Sequence, residues 1–452
     1  MLPWVLLVAA LLIVGAGTAV GVSRVNSPLA RPVAHAAATS AIVVPGAPPT
    51  LPWPTKGQGA VSVPAIRFAA QSGTESPVPI ASLTKITTAT VVLRDHPLPV
   101  GSDGPVITVT AGDVAEYESE LKNDESSVTI EVGETLTERQ MLQAMLTQSA
   151  NDIAYSLAVW DAGSVAAFVA KMNALATSLG ANNTHYVDAS GFDPASVSSA
   201  SDVLKVAAVA MAIPAFAQTV ALTSVTLPLV GTLHNIVTEV GTNGVIGIKS
   251  GYTSAAGACM VLAADQAVRD RSVLVMVAVL GQPTPAPTLP KSTTTTTTPH
   301  TTTTTAPGSP ATTAPPATSS TTTTSIPLND LPIADPFKFA RPTTDGLLAA
   351  ARAALVPVTV ATAHQVVGTV SSTWGGVVHR VSYETATDAW LPGWPGQQVA
   401  TMTRYTAVPP GSPSGTSVGT ALFALGSQFQ AVTLTLAETV PEPSVWWRLA
   451  HA

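Results

Sequence analysis

Val245-Ile246-Gly247-Ile248-Lys249-Ser250, Ala258-Cys259-Met260-Val261-Leu262-Ala263-Ala264 and Ser272-Val273-Leu274-Val275-Met276-Val277-Ala278-Val279-Leu280 are three apolar runs separated by short polar stretches. Their Val and Ile content predicts strands, and the turns around Thr253 to Gly257 and Arg269-Asp270-Arg271 are short enough to fold them into an antiparallel meander. Upstream the period changes from strand-like to helical. Ala81 to Leu93 predicts a helix beginning at Ser82. Thr137 with Gln140 three residues on spells a capping box, and Leu136 and Met141 are placed for the hydrophobic staple around it. Met141, Leu142, Met145 and Leu146 then recur at helical spacing, and the pattern stops just before Ser149. A helical block followed by an antiparallel meander makes an α+β domain.

Each of these elements carries polar residues where an apolar pattern would not place them. Ser82 and Lys85 fall one helical turn apart on one face, so the Lys85 amine can reach the Ser82 hydroxyl as its base. A serine in a first turn also lies in the field of aligned backbone N–H groups, which favours developing negative charge. Lysine is a base only when neutral, so burial or a neighbouring cation must lower its pKa, and Lys249 is a candidate for that cation. Ser149 and Asn151 flank Ala150 in a break between helices, where their side chains project into a cleft. There Ser149 passes a proton to the leaving amine, and Asn151 holds Lys85 and the substrate amide. Lys249 and Ser250 close a strand and offer a positive charge and a hydroxyl to a substrate carboxylate, while Gly251 lets a substrate backbone lie against the strand. The backbone N–H groups of Ser82 and Tyr252 form the expected oxyanion hole, in which one donor contributes roughly 3–4 kcal/mol. Taken singly, each motif reads as an ordinary helix surface or cap. Together, and in this order, they are the equipment for acyl transfer through a serine ester.

Pro79-Ile80-Ala81-Ser82-Leu83-Thr84-Lys85-Ile86, Gln148-Ser149-Ala150-Asn151-Asp152, Leu179-Gly180-Ala181-Asn182-Asn183-Thr184-His185-Tyr186 and Gly247-Ile248-Lys249-Ser250-Gly251-Tyr252-Thr253 resemble the serine D-alanyl-D-alanine carboxypeptidases, low-molecular-weight penicillin-binding proteins of the S11 peptidase type. The resemblance runs from about Gly57 to Leu280 and resumes weakly near Leu347. It implies a β-lactamase/transpeptidase-like catalytic domain, an antiparallel sheet with a helical subdomain, that removes the terminal D-alanine from peptidoglycan stem peptides outside the membrane and is acylated by β-lactams. Carried over by position, Ser82 is the nucleophile, Lys85 its base, Ser149 and Asn151 the second motif, and Lys249, Ser250 and Gly251 the third. Ser250 departs from the threonine most members carry, which keeps the hydroxyl and drops a methyl.

Charged residues make up 10% of the 452-residue chain and the formal net charge is −7, which excludes a basic face for nucleic acid. Cys259 is the only cysteine, so no internal disulfide is possible, and its apolar neighbours mark it as a small buried hydrophobe. The eight histidines are scattered without ligand spacing; neither a metal nor a cofactor is expected.

The chain is apolar and uncharged from Leu2 to Val22, long enough to span a bilayer, so residues 1–23 are expected to be an uncleaved anchor, a long signal peptide being the other reading. Ala34-His35-Ala36 has the form of a cleavage site but lies far from the apolar run. Arg24 and Arg31 follow the span with nothing basic before it. By the positive-inside rule this places the body in the cytoplasm, against the envelope location the resemblance implies; a basic stretch upstream would remove the conflict.

Residues 24–56, rich in Ala and Pro, read as a stalk, and 283–330, largely Thr and Pro, as an extended disordered insert. Residues 57–282 with 341–356 are assigned to the catalytic domain, Thr344 to Leu355 being a helix with Asp345 in its first turn and Leu347, Leu348, Ala351 and Leu355 on one face. In the family a helix packs back on the sheet after the last strand, which makes the Thr-rich stretch an excursion. Residues 357–452 read as a small all-β domain, with Trp374, Trp390, Trp394, Trp446 and Trp447 packing its core.

Three other readings stand beside this one. A class A β-lactamase requires a Glu-x-x-Leu-Asn loop that the chain lacks. A transpeptidase uses the same acyl-enzyme. In an inactive wall-associated binding protein the β domain and the Thr-rich tether would carry the role and the cleft would be vestigial.

Overall fold

The uncharged run at the N-terminus forms one continuous helix, α1 (Leu2–Val25), in the computed structural model, which describes residues 2–37, 41–73, 75–285 and 335–451. Its span Pro3–Val25 has a mean hydropathy of 2.6 and no part buried in the protein. Twenty-three residues rise roughly 35 Å, enough to cross a bilayer core of about 30 Å.

The body is organised on a five-stranded antiparallel sheet. Its order is Val245–Thr253, Gly257–Val268, Arg271–Gln282, Gln58–Val63 and Phe68–Gln71. The first three are the meander expected from the apolar runs, with Val261 opposite Ala278 and Leu262 opposite Val277. The strand period of two divides their side chains between two cores. Cys259, Val261, Ala263, Met276 and Ala278 face a helical layer, whereas Met260, Leu262, Ala264, Val275 and Val277 face the other way. The Cys259 thiol is buried and pushed up to about 12 by that burial, in keeping with a packing role.

At the centre of the helical layer is α2 (Thr84–Asp95), buried continuously from Thr84 to Leu93. Three of its four buried threonine hydroxyls find partners, which offsets the cost of burying them. Thr87 pairs with the Tyr186 hydroxyl, Thr88 donates to the Ala189 carbonyl and Thr90 to the Ile86 carbonyl. The expected start at Ser82 is corrected here. Ala81–Leu83 form one 3-10 turn with Ala81 at φ 49°, and the α-helix proper begins at Thr84.

Around α2 lie α3 (Ala111–Lys122), α4 (Glu138–Thr147), α5 (Asn151–Ala162), α6 (Val165–Ser178), α7 (Ala200–Met211) and α8 (Pro214–Val220). The Thr137–Gln140 capping box closes on both sides at α4, and Leu136 and Met141 are both buried beside it. Thr110 and Asp113 make a second capping box at α3.

The far face of the sheet is covered by α9 (Ala340–Ala353), through Leu347, Leu348 and Ala351. This helix starts four residues earlier than Thr344, which places Asp345 in its second turn. Pro342 reads as a breaker, but proline is tolerated in a first turn, where its missing N–H has no partner to lose. The Thr-rich stretch lies, from 286 to 334, outside the described residues.

Beyond α9, six strands form a second antiparallel sheet in the order Val33–Ala36, Val366–Trp374, Val377–Thr385, Gln428–Leu436, Ser417–Leu425 and Ala400–Tyr405. A pair, Val356–Ala361 with Ala389–Gly393, lies beside it. The expected free stalk is corrected by its first strand. Val33–Ala36 pairs with Ser371 to Gly368, and Val44, 1% exposed, donates its N–H to the Gln397 carbonyl. An edge strand leaves a row of unpaired N–H and C=O groups, and a low-charge segment with small side chains can satisfy them.

Of the five tryptophans, Trp390 and Trp394 pack against the core as expected and the other three do not. Trp394 is buried against Phe68, whereas Trp390 lies under Arg269 and Arg271, and Trp374 stacks on His379. Trp446 and Trp447 belong to a short final helix, α10 (Val445–His451), beside the end of α1; Trp446 is 81% exposed.

Candidate active site

Pro79 and Ile80 lead into the turn that carries Ser82, and a loop presses on that turn from the helical side. Gly191, at φ 82°, lies so close that an added Cβ would fall 1.9 Å from the Ala81 carbonyl oxygen. The loop is tied by Asp188, whose carboxylate accepts the backbone N–H groups of Gly191, Phe192 and Asp193 and the hydroxyls of Ser190 and Ser196. It presents the Ser190 carbonyl to the interior.

Lys85, in the first turn of α2, is wholly buried and uses each of its three N–H donors. Nζ donates to Ser82 Oγ at 3.0 Å, to Asn151 Oδ1 at 2.5 Å and to the Ser190 carbonyl at 2.9 Å. Burial pushes its pKa down to about 8, against Asp188, Glu120, Asp152 and Glu125, all of which favour the ammonium. Of the two causes the sequence allowed, burial and the Lys249 cation, removal from water is the one that acts.

Ser149 and Asn151 occupy the break between α4 and α5, as their spacing suggested. Ser149 is buried at φ 64°, a left-handed conformation that turns the chain sharply between the two helices. Asn151 donates from Nδ2 to Glu125 Oε2 at 2.7 Å, which directs its Oδ1 to Lys85.

On the opposite side the Val245–Thr253 strand passes the Ser82 turn. A Cβ added at Gly251 would stand 2.7 Å from the Ser82 nitrogen and 3.2 Å from the Leu83 nitrogen, so the approach requires glycine. This places Tyr252, the next residue, beside the same turn. Lys249 is fully buried, donates from Nζ to the Ser250 carbonyl at 2.8 Å, and is pushed well below the usual lysine range by burial and then by Lys85. Ser250 Oγ is buried with no hydrogen-bond partner among the described residues.

Members of three distant motifs thus come together: Ser82, Lys85 and Asn151 through hydrogen bonds, Gly251 through its approach to the Ser82 turn, and Lys249 near enough to feel the Lys85 charge. Sequence reasoning missed Glu120, Glu125, Asp152 and Asp188. Asp188 had a local signal, an aspartate two residues before Ser190-Gly191, a spacing suited to capping a turn. Glu120 and Glu125 had none, because only the packing of α3 against α5 brings them to Asn151.

The family model of D-alanyl-D-alanine carboxypeptidase, peptidase S11, matches residues 68–284. D-alanyl-D-alanine carboxypeptidase DacB2 of Mycobacterium tuberculosis is 36% identical over 215 residues, 46% of this chain and 69% of that protein. The D-alanyl-D-alanine endopeptidase of Pseudomonas aeruginosa is 34% identical over 194 residues, 41% of this chain and 59% of that protein. The chain therefore spans between 59% and 69% of the length of these two relatives. The crystal structure of penicillin binding protein 5 from Haemophilus influenzae shares the fold, with a TM-score of 0.53 over 88% of this chain and 100% of that one at 17% identity. With its sheet, its helical layer and this similarity, the chain belongs to the D-alanyl-D-alanine carboxypeptidases of peptidase family S11, serine hydrolases of the penicillin-binding-protein fold.

Proposed function

We propose that this chain removes the terminal D-alanine from peptidoglycan stem peptides ending in D-Ala-D-Ala, through an ester on Ser82, and that β-lactams acylate the same serine. The observation that carries the reading is the buried Lys85 amine, 3.0 Å from Ser82 Oγ with its pKa lowered to about 8. Neutral Lys85 takes the Ser82 proton as Oγ attacks the carbonyl carbon of the penultimate D-alanine. The oxyanion is received by the N–H groups of Ser82 and Tyr252. Ser149 passes a proton to the leaving amine, the C–N bond breaks, and D-alanine departs. Lys85, neutral again once its proton has gone to the amine, takes a proton from water as the water attacks the ester, and passes it to Ser82 Oγ as the C–O bond breaks and the shortened peptide leaves. The unpartnered Ser250 hydroxyl, with Lys249 behind it, supports binding of the terminal carboxylate, and Gly251 leaves room for the peptide backbone along the strand. The family identity supports the substrate class and a body on the outer, cell-wall side, and α1 supports its being held at the membrane.

The test is to incubate the protein with labelled penicillin and with a peptide ending in D-Ala-D-Ala, beside Ser82→Ala. Ser82-dependent labelling and D-alanine release are expected. Loss of neither signal in Ser82→Ala, or absence of both in the wild type, refutes the assignment, and rapid penicillin turnover indicates a β-lactamase.

A further inference from the structure

Asn151 stands between two groups that each accept only one end of its amide. A lysine ammonium has three donors and no acceptor, whereas a carboxylate accepts on both oxygens. One orientation satisfies both neighbours: Oδ1 accepts from Lys85 Nζ, and Nδ2 donates to Glu125 Oε2 at 2.7 Å. The reverse orientation sets Nδ2 against the ammonium and Oδ1 against the carboxylate. Glu125 is itself held in place. Asn123 Nδ2 donates to its Oε1 at 3.3 Å, and the Asn151 N–H donates to the Ser126 carbonyl at 2.7 Å, which ties this loop to the start of α5. Asn151 is 4% exposed, so a mismatched amide there is costly.

The orientation matters when Lys85 acts as a base. A neutral amine keeps two N–H donors and one lone pair, and only the lone pair can take the Ser82 proton. The Ser190 carbonyl and Asn151 Oδ1 occupy both N–H groups, which leaves the lone pair facing Ser82 Oγ. With the amide reversed, Nδ2 offers a hydrogen to that lone pair, and the amine donates to Ser82 Oγ instead of accepting from it. The Ser190 carbonyl belongs to the backbone of the loop tied by Asp188, so Asn151 is the one acceptor of the two that can reverse. Asp188, Glu120, Asp152 and Glu125 all act on the Lys85 charge, and Lys249 feels it from the facing strand. Among the described residues Glu125 alone of these carboxylates is hydrogen-bonded to the Asn151 amide.

We propose that Glu125 is a positioning residue for acylation: it locks the polarity of the Asn151 amide and thereby aims the Lys85 lone pair at Ser82. This role rests on the serine-ester reading and adds to it a residue outside the three motifs. The charge of Glu125 works against the lock, because a negative neighbour favours the Lys85 ammonium and so lowers the fraction of free base. Removing the carboxylate therefore has two effects of opposite sign on the rate, and they separate in a pH profile.

The test is the second-order rate of acylation by labelled penicillin, measured on the full chain across neutral and alkaline pH. Glu125→Gln keeps the shape of the side chain but can serve either end of the Asn151 amide, and Glu125→Ala serves neither. Both are expected to lower the alkaline plateau about tenfold, and Glu125→Asp, which remains acceptor-only, to hold it within about threefold of wild type. A residue acting through charge alone would move the inflection to lower pH and leave the plateau in place, and a residue that only fills space would be replaced by glutamine without loss. Plateaus of Glu125→Gln and Glu125→Ala within about twofold of wild type overturn the lock, and so does a Glu125→Asp plateau as low as that of Glu125→Ala. The Gln and Ala variants are read independently, so if one does not fold the other decides. Absence of labelling in the wild type overturns the serine-ester reading and the lock with it, whereas a labelled wild type with unchanged variants overturns the lock alone.

Discussion

Lys85 shows how one residue type acquires a role from its surroundings. Three acceptors hold its amine in a dry site, and burial lowers it to about 8, so that near neutrality a usable fraction is the free base. The kcat/KM for a D-Ala-D-Ala peptide is accordingly expected to fall about tenfold per pH unit below about 8 and to level off above it. Glu120, pushed up to about 9, is mostly protonated at that pH, so Glu120→Gln should leave the inflection close to its place; a pH–rate profile of each protein checks both statements. Lys85→Ala should lose roughly 10²–10⁴ in the rate of penicillin acylation, the usual worth of a positioned base. Gly251 illustrates a purely steric demand. Gly251→Ala puts a methyl 2.7 Å from the Ser82 nitrogen, and displacement of the nucleophile on that scale is expected to slow acylation about 100-fold, measured by stopped-flow labelling.

At the level of elements, the capping boxes were legible because they are local: Thr137 and Gln140 announce α4 four residues ahead of its buried face. Thr137→Ala should lower stability by about 1 kcal/mol, read as a shift in the denaturation midpoint with an unchanged slope. The start of α2 was misread because Ser82 lies in a 3-10 turn pressed by Gly191 of a distant loop, and no local propensity reports that contact. The acidic residues of α3 and α5 have a consequence of the same scale. Glu120 and Asp152 are pushed up to about 9 and about 7, chiefly by burial, so the folded protein binds protons there that the unfolded chain releases near pH 4. Stability from these groups is complete at low pH and is lost as pH rises through about 7 and then 9. Thermal unfolding should therefore come at a lower temperature at pH 9 than at pH 6, and Glu120→Gln should narrow that difference.

In the whole molecule the sheet is shared property. One face closes over the helical layer and the cleft. The other packs α9 and continues without interruption into the core of the C-terminal strands, where Val358, Val360, Trp394 and Leu425 join Leu262 and Val277. The helix that follows the Thr-rich stretch is thus held by burial on strands that precede it. Cleavage between Pro283 and Ser325 should leave two fragments that elute together on gel filtration and retain Ser82-dependent penicillin labelling, and their separation would show that covalent continuity is required.

The chain by itself determined what depends on periodicity and neighbours: the membrane-length helix, the three-stranded meander, the capped helices and the three motifs whose order identifies the family. It also placed Lys85 on its helix and the second and third motifs on their elements, since a position in a helix turn, a helix break or a strand end follows from a few adjacent residues. Tertiary structure alone decided what depends on distance through space. It turned the stalk into a sheet edge, lowered Lys85 by burial and not through Lys249, and brought Glu120 and Glu125 behind Asn151. Those outcomes come from removing groups from water and from contacts between residues far apart in the chain, and neither quantity is carried by any local run of amino acids.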